Sequence, residues 1–376
     1  MNFRKTAAVL LAALMSAVMI AGCGKVNASE AAITVNGETV SAGTASTFLR
    51  YEQVETYSLM KLYGLLSDES GYWDFEMPAS DTGSSSSSSS SASAEKKTYG
   101  DAFKQDARDS IVTMTLIRQN ADKYGFSLTD DQNKAITDAA AEFISKNGSV
   151  AKWIGADQAS VENMLSLLAY QTLMYDKIVA DTDREVSDEE AAQSTIVYAR
   201  LSLDPSDDYE GTEEEYAEEI KADAEELLSK MNESSTSETA EPADTEEEEA
   251  EGETSDKDVI SEMAKEINDS FYVTSASFGD DDTSLDDAVK EAARKLSDGE
   301  ICDSVIETDS YLYVVKMISV FDREATDSRK DSIISERESA KYKETIDGWK
   351  EAADIVEGKG WTNLKVTDKE KFVPAE

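Results

Sequence analysis

Thr195-Ile-Val-Tyr-Ala-Arg-Leu-Ser-Leu203 and Tyr311-Leu-Tyr-Val-Val-Lys-Met-Ile-Ser-Val320 are the two stretches on which the fold turns. Both are dense in β-branched and aromatic residues, and each reads as a strand. Between them, helical spacing runs over 213–231, 258–268 and 285–296. A strand, helices and a closing strand make a small α/β or α+β domain. The chain between those helices is unusual. Residues 204–256 hold 23 acids and two lysines, a charge of −21 in 53 positions. Within it, 232–256 has almost no apolar side chain and nothing with which to build a core. It reads as an acidic insertion that divides a domain.

Working outward, Ala32-Ile-Thr-Val-Asn-Gly-Glu-Thr-Val40 alternates apolar and polar residues around Asn36-Gly37, a compact strand–turn–strand signal. Helical patterns follow over 44–64, 101–124 and 160–179. Thr129-Asp-Asp-Gln132 is a capping box opening a helix to about 147, and Ser187-Asp-Glu-Glu190 caps a short one. Ser84 to Ser91 are eight unbroken serines in a flexible stretch over 80–97. Past the closing strand, 326–349 is a long charged helix with Ile333, Ile334, Ile346 and Trp349, and 361–366 is strand-like.

The N-terminus reads as an address. Arg4 and Lys5 precede an apolar run from Ala7 to Ile20, too short to span a bilayer. It ends in Ile20-Ala-Gly-Cys23, which resembles the lipobox of bacterial lipoproteins. That resemblance implies cleavage before Cys23 and a lipid on its sulfur. Two acyl chains would hold the body at the membrane, at about 0.8 kcal/mol per buried methylene. With Cys23 lipidated, Cys302 has no disulfide partner and reads as a small apolar residue.

Composition removes whole classes of chemistry. The chain of 376 residues has no histidine, two cysteines and a net charge of −43. An imidazole base, a Ser-His or Cys-His pair and a histidine-ligated zinc are excluded. So acidic a chain repels phosphate backbones, so nucleic acid is not an expected partner. No metal or cofactor is expected either. Asp280, Asp282, Ser284, Asp286 and Glu291 fall at calcium-loop spacing, but Leu285 stands where a glycine is needed; Ser284 as a helix N-cap is the plainer reading. Ser58-Leu-Met-Lys61 fits S-x-x-K without its companion motifs.

Taken in order, these segments resemble the parvulin-containing extracytoplasmic foldases of the PrsA/SurA type. Ile33 to Val40 resembles the opening of their N-terminal domains. Tyr124-Gly-Phe-Ser-Leu-Thr-Asp-Asp131 is similar to their helix–cap–helix segment, and Glu185-Val-Ser-Asp-Glu-Glu-Ala191 to the helix before the parvulin module. Ile196 to Leu203 looks like the first parvulin strand. Asp258 to Glu266 and Ala292 to Ile301 resemble later segments, before the closing strand from Tyr311 to Met317. The resemblance implies an α+β, mostly helical fold: a helical chaperone domain from N- and C-terminal segments, plus a parvulin-like α/β module carrying the acidic insertion. The expected division is a signal peptide over 1–22, a tether over 23–31, a helical chaperone domain over 32–184, a parvulin-like domain over 185–322, and a C-terminal helix and tail over 323–376 that pack on the N-terminal domain.

The resemblance also implies what this chain lacks. The two parvulin histidines that support the active-site floor fall on Leu201 and Tyr313. The glycine-rich loop is replaced by Thr274-Ser-Ala-Ser-Phe-Gly279, and the proline pocket aligns with Leu285 and Val289. The function expected is a membrane-anchored foldase or chaperone for unfolded or newly secreted polypeptides, with weak or no isomerase activity. An active peptidyl-prolyl isomerase and a solute-binding lipoprotein are the alternatives. Tyr51, Tyr57, Met60, Tyr63 and Trp73 are the candidate client contacts, since aromatics and methionine adapt to varied apolar peptides.

Overall fold

In the computed structural model, residues 15–19, 26–64, 71–77, 97–206, 209–238 and 255–374 are described. Cys23, the serine tract and most of the acidic insertion lie outside them. The elements are β1 (Met15–Met19), β2 (Ala31–Val35), β3 (Glu38–Ser41), α1 (Ala42–Leu62), α2 (Tyr99–Asn120), α3 (Asp130–Trp153), α4 (Gln158–Ile178) and α5 (Asp188–Ala191). They continue with β4 (Ser194–Ser202), α6 (Glu213–Glu238), α7 (Asp256–Ile267), β5 (Tyr272–Phe278), α8 (Asp287–Ala293), β6 (Ile306–Glu307) and β7 (Tyr311–Ser319). The chain closes with α9 (Arg323–Glu351), β8 (Ile355–Glu357), α10 (Lys359–Thr362) and β9 (Glu370–Pro374). The fold is α+β and mostly helical.

Two compact units form, one from 1–182 with 338–376, the other from 183–337. In the first, β2 and β3 pair as a hairpin whose turn puts Asn36 at φ 51 and Gly37 at φ 83, the left-handed values this Asn-Gly sequence favours. β8 joins the other edge of β2, giving the order β3-β2-β8. Thr98 and Thr129 each close a capping box, at α2 and α3. Ile33, Leu49, Ile111, Leu116 and Leu167, all nearly sealed from solvent, sit in one core beneath this hairpin; each contributes about 1.5–3 kcal/mol. The C-terminal half of α9 packs within this unit. Ile346 is buried with Ile117, Met174 and Ile178, while the Tyr342 and Trp349 rings lie 5.1 and 6.1 Å from Tyr175 and Tyr124. Met15–Met19, inside the expected signal segment, pairs antiparallel with β9.

The second unit is built on the antiparallel sheet β5-β4-β7-β6. β4 and β7, the two stretches quoted at the outset, are its paired central strands. Ile220, Ala224 and Leu227 of α6 join Ile260 and Ala264 of α7, and Val289 and Ala293 of α8, in one core with the sheet. The first half of α9 belongs here too, beyond the boundary expected at 322. Asp188 accepts from Arg323 at 2.7 Å and also pairs with Lys330; Glu190 pairs with Arg337 at 2.5 Å. Arg323, then Lys330, hold the Asp188 carboxyl well below the usual range.

Several sequence expectations are corrected. Residues 361–366 are not a strand: Trp361 lies in α10, and Leu364 and Val366 alternate inward without a strand partner. α3 runs past 147, bending where Gly148 takes φ 42. α8 starts at Asp287 rather than 285. The Asp282 carboxylate accepts the N–H groups of Ser284 and Leu285, both at 3.0 Å, and holds a turn there. Ser284 is therefore not the helix cap. Residues 274–279, expected as a rebuilt loop, are mostly strand β5, which its small side chains concealed.

Candidate functional site

Strand register decides which side chains share a face, because directly opposed residues of an antiparallel pair point the same way. Arg200 stands opposite Tyr313, and Leu201 opposite Leu312. Leu201 and Tyr313 therefore lie on opposite faces of the sheet. They cannot form one floor, and Leu201, 1% exposed, is core. The residue that shares a floor with Tyr313 is Arg200, one position earlier. A slip of one residue moves a side chain to the other face, and a motif alignment without register had no protection against it.

The face so defined is tyrosine-rich. Tyr313, 3% exposed, donates its hydroxyl hydrogen to Asp286 Oδ2 at 2.8 Å, and Arg200 stands opposite it in the strand pair. Arg200 carbon Cζ lies 4.3 Å from the Tyr311 ring centroid and 4.9 Å from that of Tyr272. The guanidinium is thus held against two aromatic faces. Tyr198 meets Tyr313 edge to face at 5.5 Å. Burial, then the bond to the Asp286 carboxylate, pushes the Tyr313 phenol up to about 12. Leu285 and Val289 do not line an open slot. They are 8% and 0% exposed and belong to the unit's core.

A cavity of about 430 Å³ opens elsewhere in this unit, over Phe278 and Ile333. Its arginines are committed: Arg329 to Asp281 and Glu336, both at 2.6 Å, Arg337 to Glu190, and Arg294 to Asp280 at 2.9 Å. Sequence reading missed it, because its walls come from four separated segments. Cys302 is buried more deeply than its sequence suggests, accepting from the Val315 N–H at 3.3 Å, and burial raises its thiol pKa. Among the described residues no group of His, Cys, Asp or Glu is arranged to hold a metal ion. Ser58 donates to its own helix at Val54 O, 2.7 Å, as a helix-packing serine does.

The client candidates separate in the first unit. Tyr63 is 70% exposed; Tyr51, Tyr57 and Met60 are half-buried. Burial, with Glu55 and Glu52 nearby, pushes the Tyr51 phenol up to about 12. Trp73 is withdrawn from the set. It is 6% exposed and packs on Tyr72 and Phe103, with ring centroids 5.1 and 4.8 Å away. Leu59 and Leu62, at helical spacing near the end of α1, are 54% and 78% exposed beside Tyr63. Helical periodicity marks an apolar face without saying that the core reaches so far along it.

No protein-family model and no curated protein sequence matches the chain. Among solved structures it is similar to the foldase protein PrsA from Streptococcus pneumoniae str. Canada MDR_19A. The two share 16% identity over 75% of this chain and 96% of that one, with a TM-score of 0.28. It is similar also to PrsA from Bacillus subtilis (16% identity, 69% and 90% coverage, TM-score 0.23). A third is the peptidylprolyl isomerase (PrsA) from Bacillus anthracis (15% identity, 69% and 98% coverage, TM-score 0.25). These structures are of the foldase type that the sequence motifs resemble.

Proposed function

We propose that the chain is a lipid-anchored extracytoplasmic chaperone that holds unfolded secreted polypeptides, with little or no prolyl isomerase activity. The observation that carries this reading is the filled sheet face. A prolyl isomerase lowers a barrier of about 18–20 kcal/mol by binding the twisted amide better than the planar one, which takes an open slot. Here Tyr313, Leu285 and Val289 are 3%, 8% and 0% exposed, and the polar groups present are engaged with one another. An active isomerase is the second reading, favoured by the Tyr313–Asp286 pair at the floor.

Client contact is assigned to the end of α1, where Leu59, Leu62 and Tyr63 occupy i, i+3 and i+4 positions on one helical face beside Met60. The anchor rests on the leader and Cys23. No described helix is long and apolar enough to cross a membrane. Cleavage before Cys23 removes Met15–Met19 and leaves β9 without that partner.

The test is suppression of light scattering by a reduced, aggregating client. The full chain suppresses it, and the triple variant Leu59→Ser, Leu62→Ser, Tyr63→Ser loses most of the effect with unchanged melting. Absence of suppression by the unmodified chain rejects the reading. Cys23→Ala should lose fatty-acid labelling in cells; labelling that persists rejects the anchor.

A further inference from the structure

β5 is an edge strand. Its inner side pairs with β4 from Tyr272↔Arg200 to Phe278↔Ser194 without a register shift, and among the described residues no strand lies on its outer side. Every second N–H and C=O of the strand points outward, without a backbone partner among the described residues. Natural edges of this kind are blunted by lysine, proline, a bulge or a cover. Tyr272-Val-Thr-Ser-Ala-Ser-Phe278 has no charge, no proline and no bulge, in a chain that is 31% charged. Tyr272 is 53% exposed, and Ser275 and Ser277 are exposed as well.

We propose that this edge is a binding site for an extended segment of unfolded polypeptide, which adds to the sheet as a further strand beside β5. The proposal rests on the chaperone reading and moves part of the client surface to the second unit. Backbone pairing suits a client of any sequence, since it recognises main chain and leaves side chains free. The low rim of Ser275, Ala276 and Ser277 admits bulky client residues. Tyr272, braced on Arg200, supplies an aromatic anchor at one end. Seven residues at about 3.3 Å each give an edge of roughly 23 Å, enough for a single extended segment.

Charge selects the occupant. A second copy would bring −43 against −43, so self-pairing of two edges is opposed. A neutral unfolded chain meets no such opposition, and a basic one gains long-range attraction.

The probe is reduced, pyridylethylated ribonuclease A, a basic chain that cannot refold. Amide hydrogen exchange of the full-length protein is followed with and without it. Exchange over 272–278 should slow by about tenfold at saturation, as new strand hydrogen bonds form. A second arm uses Ser275→Lys with Ser277→Lys, expected to weaken binding by about tenfold at unchanged melting, and Ser275→Thr with Ser277→Thr, expected to bind as the unmodified chain does. Aggregation suppression with no protection over 272–278 overturns the edge while leaving the chaperone reading standing. No suppression and no protection reject both. Protection that rises with protein concentration in the absence of client assigns the edge to a second copy and overturns the occupant. Unaltered binding by the lysine variant overturns the site.

Discussion

Tyr313→Phe isolates one hydrogen bond at the floor of the sheet. The phenol is 3% exposed and its hydroxyl bonds Asp286 Oδ2 at 2.8 Å, while the ring stays packed on Tyr198 in the variant. A hydrogen bond to a charged group contributes about 1.5–3 kcal/mol. Asp286 is itself exposed and rehydrates when the hydroxyl is gone, so the lower end applies, about 1–2 kcal/mol. Urea unfolding should show a lower midpoint at an unchanged m-value. The alkaline limb gives an independent check. The phenol is raised to about 12 in the folded chain against an ordinary value of 10.0, so its contribution is complete below pH 10. It is lost as pH rises from 10 toward 12, because the unfolded chain gives up that proton first. The stability gap between unmodified and variant chains should therefore narrow over that window. An equal stability of the two chains at pH 7, or a gap that widens above pH 10, refutes the reasoning.

Asp368 accepts the N–H groups of Tyr72, Trp73 and Asp74 at 2.8, 3.1 and 3.0 Å, so Asp368→Ala should free that loop and speed its amide exchange by about tenfold or more, at about 1.5–3 kcal/mol of local stability. The Cys302 thiol, 4% exposed and with its pKa raised by burial, should react with a thiol reagent at pH 8 about a hundredfold more slowly in the native chain than in urea; equal rates would place it at the surface. Deleting 239–254 should move the melting temperature by less than about 2 °C, since so acidic a sequence has little apolar surface to bury. The deletion stops there because α6 runs to Glu238 and Ser255 caps α7.

What the sequence disclosed, and what it did not, follows from the range of the forces involved. Local signals held. Asn36-Gly37 makes its turn, Thr129 and Ser187 cap their helices, and the two β-branched runs pair as central strands. Pairing register is a long-range property, so the floor residue was placed on Leu201 when the sheet puts Arg200 there. β5 was missed because Thr-Ser-Ala-Ser carries neither the bulk nor the alternation of a buried strand; its state is fixed by β4. Trp73, a client candidate, is buried and Leu62 is exposed for a related reason. An aromatic in an irregular stretch is buried by residues distant in sequence, such as Phe103, and a helix can outrun the core that covers its first turns.

The proposed function is that of a polypeptide-holding chaperone with little or no prolyl isomerase activity. Its direct test is NMR exchange spectroscopy on an Ala-Pro tetrapeptide with catalytic amounts of the full-length protein. The account predicts cis/trans exchange indistinguishable from the uncatalysed rate, unchanged also by Tyr313→Phe. Exchange accelerated in proportion to protein concentration, and lost in that variant, would contradict it and make the Arg200–Tyr313–Asp286 face an active site.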